Sequence, residues 1–375
     1  MKSRLRILIV GPIHPATGGI STYVSDLLNS PLNKKFDLIC FPKNHPAYPH
    51  DNLNSNKITS AFYFIQLSLS VIFQLSKFII TLIRCKLDII HIHTSSRLGF
   101  LENSLYVLIS KLFRKKVIIH IHGGLFDYFF LNSSSIKKVY IKYILSLSNK
   151  IICLSSYWSN FFVNKIGINE YLIHTIPNGY DTSLFYPIGT KKCRISLNLP
   201  LDKKIIITVG NLIGIKGHIY LIEAMEYIIT KRKDIVCLII GDGPLKKELT
   251  QQIHSKGLIN YVQLIGKQPH NQIPLWMNAC DLFVFPSIRE SFGLVQIEAM
   301  ACGKPVIATY NTGSEEIITS KELGTLCQNS NSKKMADAIL ASLDKNYSAS
   351  KITTYCLKYS WLNIYKNISD IYEII

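Results

Sequence analysis

DLFVFPSIRESFGLVQIEAMACGKPVIAT, residues 281–309, is the stretch in which the fold becomes legible. An apolar run, DLFVF, is ended by Pro286-Ser287. A polar loop follows. LVQIEAMACG then reads as a helix stopped by Gly303, and PVIAT is a second apolar run. Strand, loop, helix and strand succeed one another within one short segment. Two glutamates, Glu290 and Glu298, stand with seven residues between them. The first falls in the loop before the helix, the second inside it.

The same rhythm fills the chain. RILIVG, DLICFP, DIIHIH, KVIIHIH, KIICLS and YLIHTIPN are the runs of the first half. KIIITVG, VCLIIGDG, VQLIGK, LFVFPS, PVIAT and LGTLC are those of the second. Uniformly apolar, β-branched strands alternating with helical stretches predict parallel sheets covered on both faces. The expected fold class is α/β, with two doubly wound Rossmann-like domains of about six strands each. The PNG turn at 177–179 and the loop-like YPIGTKK put the boundary near residues 178–190. In open α/β sheets ligands bind beyond the carboxyl ends of the strands. That rule selects GPIHPATGG, HTSSR, HGG, PNGYD, GNLIGIKG, GDGP, GKQPH and PSIRES, and predicts a cleft between the two crests.

Composition narrows the class further. The 375 residues, 48% hydrophobic, supply two cores and carry no disorder-like bias. Lys and Arg total 42 against 24 acids, a net charge of +18. Residues 1–185 hold 20 basic and 8 acidic side chains (+12), and the remainder 22 and 16 (+6). A basic, aromatic-rich first half suits an anionic surface such as membrane lipid, a lipid phosphate or nucleic acid; the alternative is a solvated basic face. The nine cysteines show no CxxC and no Cys/His cluster at zinc spacing, which reads as free thiols in a reducing cytoplasm. MKSRLRILIVGP has too short an apolar run for a signal peptide. Residues 61–83, AFYFIQLSLSVIFQLSKFIITLI, have the length of a span, but Gln66, Gln74, Lys77 and three serines interrupt them; the expectation is a soluble or membrane-surface helix.

Two loops carry the chemistry. In TVGNLIGIKGHIYLIEAM, Lys216 stands just before a helix beginning near His218, which suits a phosphate or diphosphate. The order is not that of a P-loop, and no GxGxxG follows the first strand. In the opening stretch, the amides of Phe292, Gly293 and Leu294 leave the helix amino terminus unpaired, ready for an anion. Gly293 lets that backbone approach a ligand closely. At about 1.5 Å per residue the two carboxylates lie about 10 Å apart, too far to share a metal ion. One carboxylate at each side of a diphosphate fits that interval, one on the hydroxyls of a sugar, the other on those of a ribose.

These motifs, with GGISTYV, IPNGYD, IIGDGPLKKEL and TGSEEII in order over nearly the whole chain, resemble glycosyltransferase family 4, retaining enzymes of GT-B fold. The resemblance implies domains at 1–183 (acceptor side) and 184–357 (nucleotide-sugar side), with a helix at 358–375 crossing back to the first. It makes Glu290 the contact to the donor sugar, Glu298 the ribose ligand, and Lys216 the cation on the diphosphate, assisted by the amides of Gly293 and Leu294. Gly18 and Gly19 would approach phosphates or acceptor. His122 would contact the transferred sugar, while His120, deeper on the same strand face, reads as structural. Gly266 and Lys267 would face the base. One departure stands out: Asn211 occupies the place where many members carry arginine, so Arg289 becomes a candidate compensating cation.

The implied activity is retaining transfer from a nucleotide sugar, UDP first and GDP second, to a hydroxyl of a saccharide or polyprenyl-linked saccharide, as in bacterial lipopolysaccharide or capsule synthesis. No cofactor and no metal are expected, since no DxD-like motif is present. The enzyme would be cytoplasmic, as a peripheral protein of the inner membrane, without nucleic-acid partners. The rivals are a nucleotide-sugar 2-epimerase of the same fold, a glycosidase built on the two carboxylates, and a catalytically weak lipid- or saccharide-binding protein.

Overall fold

Every one of the twelve apolar runs becomes a strand. The structure, a computed structural model, describes residues 4–13, 19–43 and 57–375. The first sheet holds β1 (Arg6–Gly11), β2 (Asp37–Pro42), β3 (Ile89–Thr94), β4 (Lys116–Ile121), β5 (Lys150–Cys153) and β6 (Ile173–Thr175), in the spatial order 2-1-3-4-5-6. The second holds β7 (Lys204–Val209), β8 (Ile235–Ile240), β9 (Val262–Gly266), β10 (Leu282–Phe285), β11 (Val306–Thr309) and β12 (Gly324–Cys327), in the order 12-11-10-7-8-9. All pairings are parallel. Position in the sheet explains composition: β3 and β8 are buried at every residue, whereas the edge strand β2 is half-exposed and tolerates Pro42. YLIHTIPN yields only a three-residue strand, because Glu170–Leu172 coil into a 3₁₀ turn and Pro177 follows.

Each sheet builds its own core. In the first, Ile92, Ile119 and Ile151 pack with Phe100, Tyr106 and Phe126. In the second, Ile206, Ile239 and Ile307 pack with Leu221, Met225 and Ile339. Each such fully buried side chain contributes about 1.5–3 kcal/mol through removal from water. All nine cysteines are free, and seven are buried. The helix Lys57–Arg84 covers the segment singled out above; its Leu69, Ile72, Phe73, Ile80 and Ile83 are exposed. Among the described residues, no helix is long and apolar enough to cross a membrane.

The chain divides into one unit of residues 1–176 with 365–375, and a second of 177–364. The second unit therefore takes in 177–183 and 358–364, which the sequence reading had assigned elsewhere. The reason is a local zipper. Tyr180 N donates to Tyr359 O (3.0 Å), Trp361 N donates to Tyr180 O (3.1 Å), and a Cβ on Gly179 would overlap the Trp361 ring. The terminal helix Trp361–Ile374 buries Ile368, Ile371 and Tyr372 at three- and four-residue spacing. Within the first unit it is held by Tyr365 Oη to Asp26 O (3.1 Å), Lys35 Nζ to Ser369 Oγ (3.0 Å) and Tyr372 Oη to His91 Nδ1 (2.7 Å).

The amino-terminal edge of the second sheet is fastened by one buried guanidinium. Arg194 donates to Ala279 O (2.9 Å), Lys203 O (3.0 Å) and Asp281 Oδ2 (2.7 Å), and Asp281 also receives Ile205 N (2.7 Å). Arg194→Ala removes the donor to both carbonyls and leaves the Asp281 carboxylate without its counter-charge. We expect it to lower stability by about 3 kcal/mol in urea unfolding; a change below about 1 kcal/mol would show the pair to be dispensable.

Candidate active site

The site of the second unit follows from strand order. Reading along the second sheet, β10 pairs with β7 through Leu282↔Ile206 and Phe283↔Ile207, at the place where connections reverse direction. The loops leaving these two strands begin at the general location of ligands in such sheets. They are also tied together. Ile288 N donates to Ile215 O (2.8 Å) and Ser287 Oγ to the same carbonyl (3.2 Å). Gly217 adopts φ +66°, and a Cβ there would lie 2.1 Å from Pro286 O, so only glycine allows the two loops this approach.

The result is a contact between the two predicted residues. Lys216 Nζ lies 2.5 Å from Glu290 Oε2, both side chains partly buried, and the ammonium also sits 5.7 Å from the Phe285 ring centre. Glu290 Oε1 receives Ser291 N at 3.3 Å. The loop that carries Glu290 is clamped from TGSEE and its neighbours. Glu290 N donates to Asn311 O (3.0 Å), Thr312 Oγ1 to Glu290 O (2.7 Å), Thr309 Oγ1 to Ser287 O (2.5 Å) and Asn329 Nδ2 to Ile288 O (2.5 Å). Glu315 in turn accepts the amides of Asn311 and Thr312 (3.1 and 3.2 Å). Sequence reading recognised this stretch only as a family mark; its task is to fix Glu290.

The helix of the opening stretch begins at Leu294, capped by Gly293 at φ +85° with no side-chain cap. Its first amides are therefore left for a ligand. Phe292 offers only backbone there, since its side chain is buried, 5.5 Å from the Tyr359 ring. Glu298 is buried further along, with His270 Nε2 3.6 Å from its Oε1. His270 escaped the sequence reading, although its loop did not. Gly266 (φ +82°) and the exposed Lys267 end β9, and Asn211 is exposed in the loop after β7. Arg289 shares the loop of Glu290, where burial lowers the pKa of its guanidinium.

In the first unit Gly18 lies outside the described residues. Gly19 opens the helix Gly19–Leu28, and a Cβ there would meet none of the described residues within 4 Å. His122 follows β4 and belongs to a cluster of four rings. His91 and His93 alternate on β3, His120 lies on β4 with His122 just beyond its end, and the register sets His93 against His120. Neighbouring ring centres are 4.1–5.5 Å apart, and Tyr23 closes over them. Burial drives His91 and His122 down to about 3 and holds His93 and His120 well below the usual range, so all four are neutral. Single nitrogens of His91, His93 and His120 lie within 4.8 Å of one another, a donor set suited to zinc or copper. All three rings are buried and uncharged, so a divalent ion there would need a further, anionic ligand to balance its charge. Sequence reading also missed Lys43, a buried cation after β2, 2.9 Å from Glu102 and 2.8 Å from Asn103 Oδ1.

Two six-stranded doubly wound domains define a glycosyltransferase of GT-B type, and the second bears a Lys–Glu pair before an uncapped helix. The chain belongs to glycosyltransferase family 4: the family model described as Glycosyl transferases group 1 matches residues 190–358, and that described as Glycosyltransferase Family 4 matches residues 17–184. It is 25% identical over 374 residues to an uncharacterized glycosyltransferase of Methanocaldococcus jannaschii, covering 98% of each chain. It is 28% identical over 270 residues to the UDP-Gal:alpha-D-GlcNAc-diphosphoundecaprenol alpha-1,3-galactosyltransferase of Escherichia coli, covering 69% of this chain and 67% of that one. The crystal structure of Anabaena HepE in complex with UDP shares the fold at a TM-score of 0.78 and 21% identity, covering 99% and 100% of the two chains.

Two outcomes test this geometry. Gly217→Ala should displace the Lys216 loop, lowering stability by about 1–3 kcal/mol and weakening donor binding in calorimetry. The histidine stack sets a pH limit on the first unit. Its folded pKa values lie below the unfolded value of about 6.5, so the unfolded chain binds more protons between about 3 and 6.5. Stability is complete above that window and falls as pH drops through it, by up to about 1.4 kcal/mol per ring and pH unit. Hydrogen-exchange protection in β3 and β4, taken relative to the intrinsic amide rate at each pH, should fall between pH 7 and 5; unchanged protection would mean that the rings accept protons within the fold.

Proposed function

We propose that the protein moves a glycosyl group from a nucleotide sugar to a hydroxyl of a saccharide or lipid-linked saccharide, with retention at the anomeric carbon. The observation that carries this is the Lys216–Glu290 pair set before an uncapped helix terminus. Without donor the two charges neutralise each other. With donor, Lys216 and the amides of Gly293 and Leu294 take the diphosphate, and Glu290 turns to the sugar hydroxyls. The site then stabilises negative charge as it develops on the leaving diphosphate, with no metal needed for that task. Glu298, steadied by His270, holds the ribose; Gly266 and Lys267 border the base. Arg289 supplies the charge that Asn211 does not. We assign His122 to the transferred sugar and Gly19, with Gly18, to the phosphates or acceptor.

UDP is the favoured base, with GDP second. The Escherichia coli relative is named for a UDP-Gal donor and a diphosphoundecaprenol acceptor, and HepE binds UDP. This supports a cytoplasmic role in bacterial surface polysaccharide synthesis, in lipopolysaccharide or capsule. A membrane-surface position is supported by the exposed Leu69, Ile72, Phe73, Ile80 and Ile83, with Lys77 over the Phe73 ring (4.3 Å) and a net charge of +18. Lys111, Lys115 and Lys116 are tied locally, donating to Asn149 Oδ1, Leu87 O and Ile375 O.

Lys216→Ala and Glu290→Gln should each lower sugar transfer by about 10²–10³-fold in folded protein, while Glu298→Ala should chiefly raise the donor KM. Near-normal turnover in either of the first two sinks the assignment. Conversion of the donor without acceptor would instead identify an epimerase. Replacing Ile72 and Phe73 by serine should abolish flotation with anionic liposomes at low salt; undiminished flotation removes the α-helical surface from the membrane reading.

A further inference from the structure

We infer that His93 is a positioning residue that fixes the tautomer of His122, so that His122 presents a neutral Nδ1–H donor to its ligand. This rests on the reading of His122 as a sugar contact, and the geometry of the stack supplies the rest. His93 Nδ1 and His122 Nε2 are 3.0 Å apart, and their rings are inclined by 24°, so the bond runs nearly within both ring planes. One nitrogen must donate and the other accept. Both rings are neutral, so each has a single proton to place.

The choice is made by what lies behind His93. Its Nε2 is buried and has no partner among the described residues. If His122 donated, the His93 proton would sit on that Nε2, leaving an orphaned N–H at a cost of about 1–3 kcal/mol. The neighbouring rings do not relieve it. His91 and His120 are tilted by only 32° and 33° to His93 and Tyr23 by 50°, so none of these rings stands at right angles to the His93 plane as an edge-to-face contact requires. If His93 donates instead, its proton is used in the bond, and what remains buried is a bare lone pair. Orphaned buried donors are rarer in folded proteins than under-used acceptors. His93 therefore carries hydrogen on Nδ1, His122 accepts at Nε2, and the His122 proton is left on Nδ1.

Everything around His93 holds it in that role. Gly11 on β1 admits the side chain closely, since a Cβ there would lie 3.3 Å from His93 Cβ. Asn103 Nδ2 donates to His93 O (3.2 Å), and Asn103 is itself bound by Lys43. His122 N donates to Thr94 O (2.9 Å), joining the two strands beside the rings. Tyr372 anchors His91 from the terminal helix, and Tyr23 covers the stack from the first helix. His122 is the most exposed of the four rings, at 9%. A neutral donor there hydrogen-bonds a sugar oxygen at any pH in which the domain is folded, and with a pKa near 3 it is too weak a base to deprotonate the acceptor.

The test uses the full-length protein labelled with ¹⁵N-histidine. A two-bond ¹H–¹⁵N correlation spectrum at neutral pH shows which ring nitrogen bears each proton, with assignments from the His93→Asn and His122→Gln variants. Protons on Nδ1 of both His93 and His122 are expected; a proton on His122 Nε2 overturns the proposal, with no reference to activity. Kinetics supply the second arm. His93→Leu should lower kcat by about 10–100-fold, the loss of one oriented hydrogen bond, with little change in donor KM. His93→Asn should recover most of it, because its Nδ2 occupies the place of the imidazole Nδ1. Equal losses in both folded variants would reject a role through the hydrogen bond. Full activity of His122→Ala would reject the sugar assignment alone, leaving the spectral result standing.

Discussion

The approach of two loops, one leaving β7 and the other β10, is the constraint from which the site of this glycosyltransferase grows. Neighbouring parallel strands end side by side, so the segments that follow them meet unless something drives them apart. Here a backbone hydrogen bond from Ile288 to Ile215 and a glycine at position 217 let them come within contact. Lys216 and Glu290 are thereby brought together although 74 residues separate them in sequence. A cation and an anion held at this distance in a partly buried place are fixed before any ligand arrives.

Such preorganisation needs a frame. Glu290 sits on a short loop that has no secondary structure of its own, so its position depends on what grips its backbone. Asn311, Thr312 and Thr309 do this from the neighbouring strand-to-helix connection, and Glu315 holds the gripping loop in turn. Thr312 accepts a positive φ of 78° to reach its place. Strain of that kind persists where the surrounding hydrogen bonds over-determine the conformation. The first unit uses a different device. There, four neutral imidazoles and two tyrosines form a buried polar layer between a sheet and its covering helices, which ties the terminal helix to β3 through His91.

Much of the fold was legible because uniformly apolar, β-branched runs have few alternatives to a buried parallel strand. The Lys216 and Glu290 loops were legible for a related reason: glycine, lysine and glutamate directly after such a run, and directly before a helix, have chemistry but little packing to do. What stayed hidden depended on long-range partners. Nothing in TGSEEII or around Asn329 announces which loop it will grip. Nothing around His270 says that it will lie 3.6 Å from Glu298. The limits of the two units moved for the same reason, since the zipper between Tyr180 and residues 359–361 joins segments far apart in the chain.

By itself, then, the sequence determined the class of fold, the twelve strands, the family and the residue types at the donor loops, because periodicity and local turn chemistry are properties of short segments. Only the tertiary structure decided which groups touch. Strand order placed the β7 and β10 loops side by side, and sheet register placed His93 against His120 with His122 beside them. Burial then removed the charge from those rings, and the lack of a partner for the buried His93 Nε2 among the described residues chose the place of the proton. Those outcomes rest on distance, desolvation and hydrogen-bond geometry, which exist only once the chain has folded.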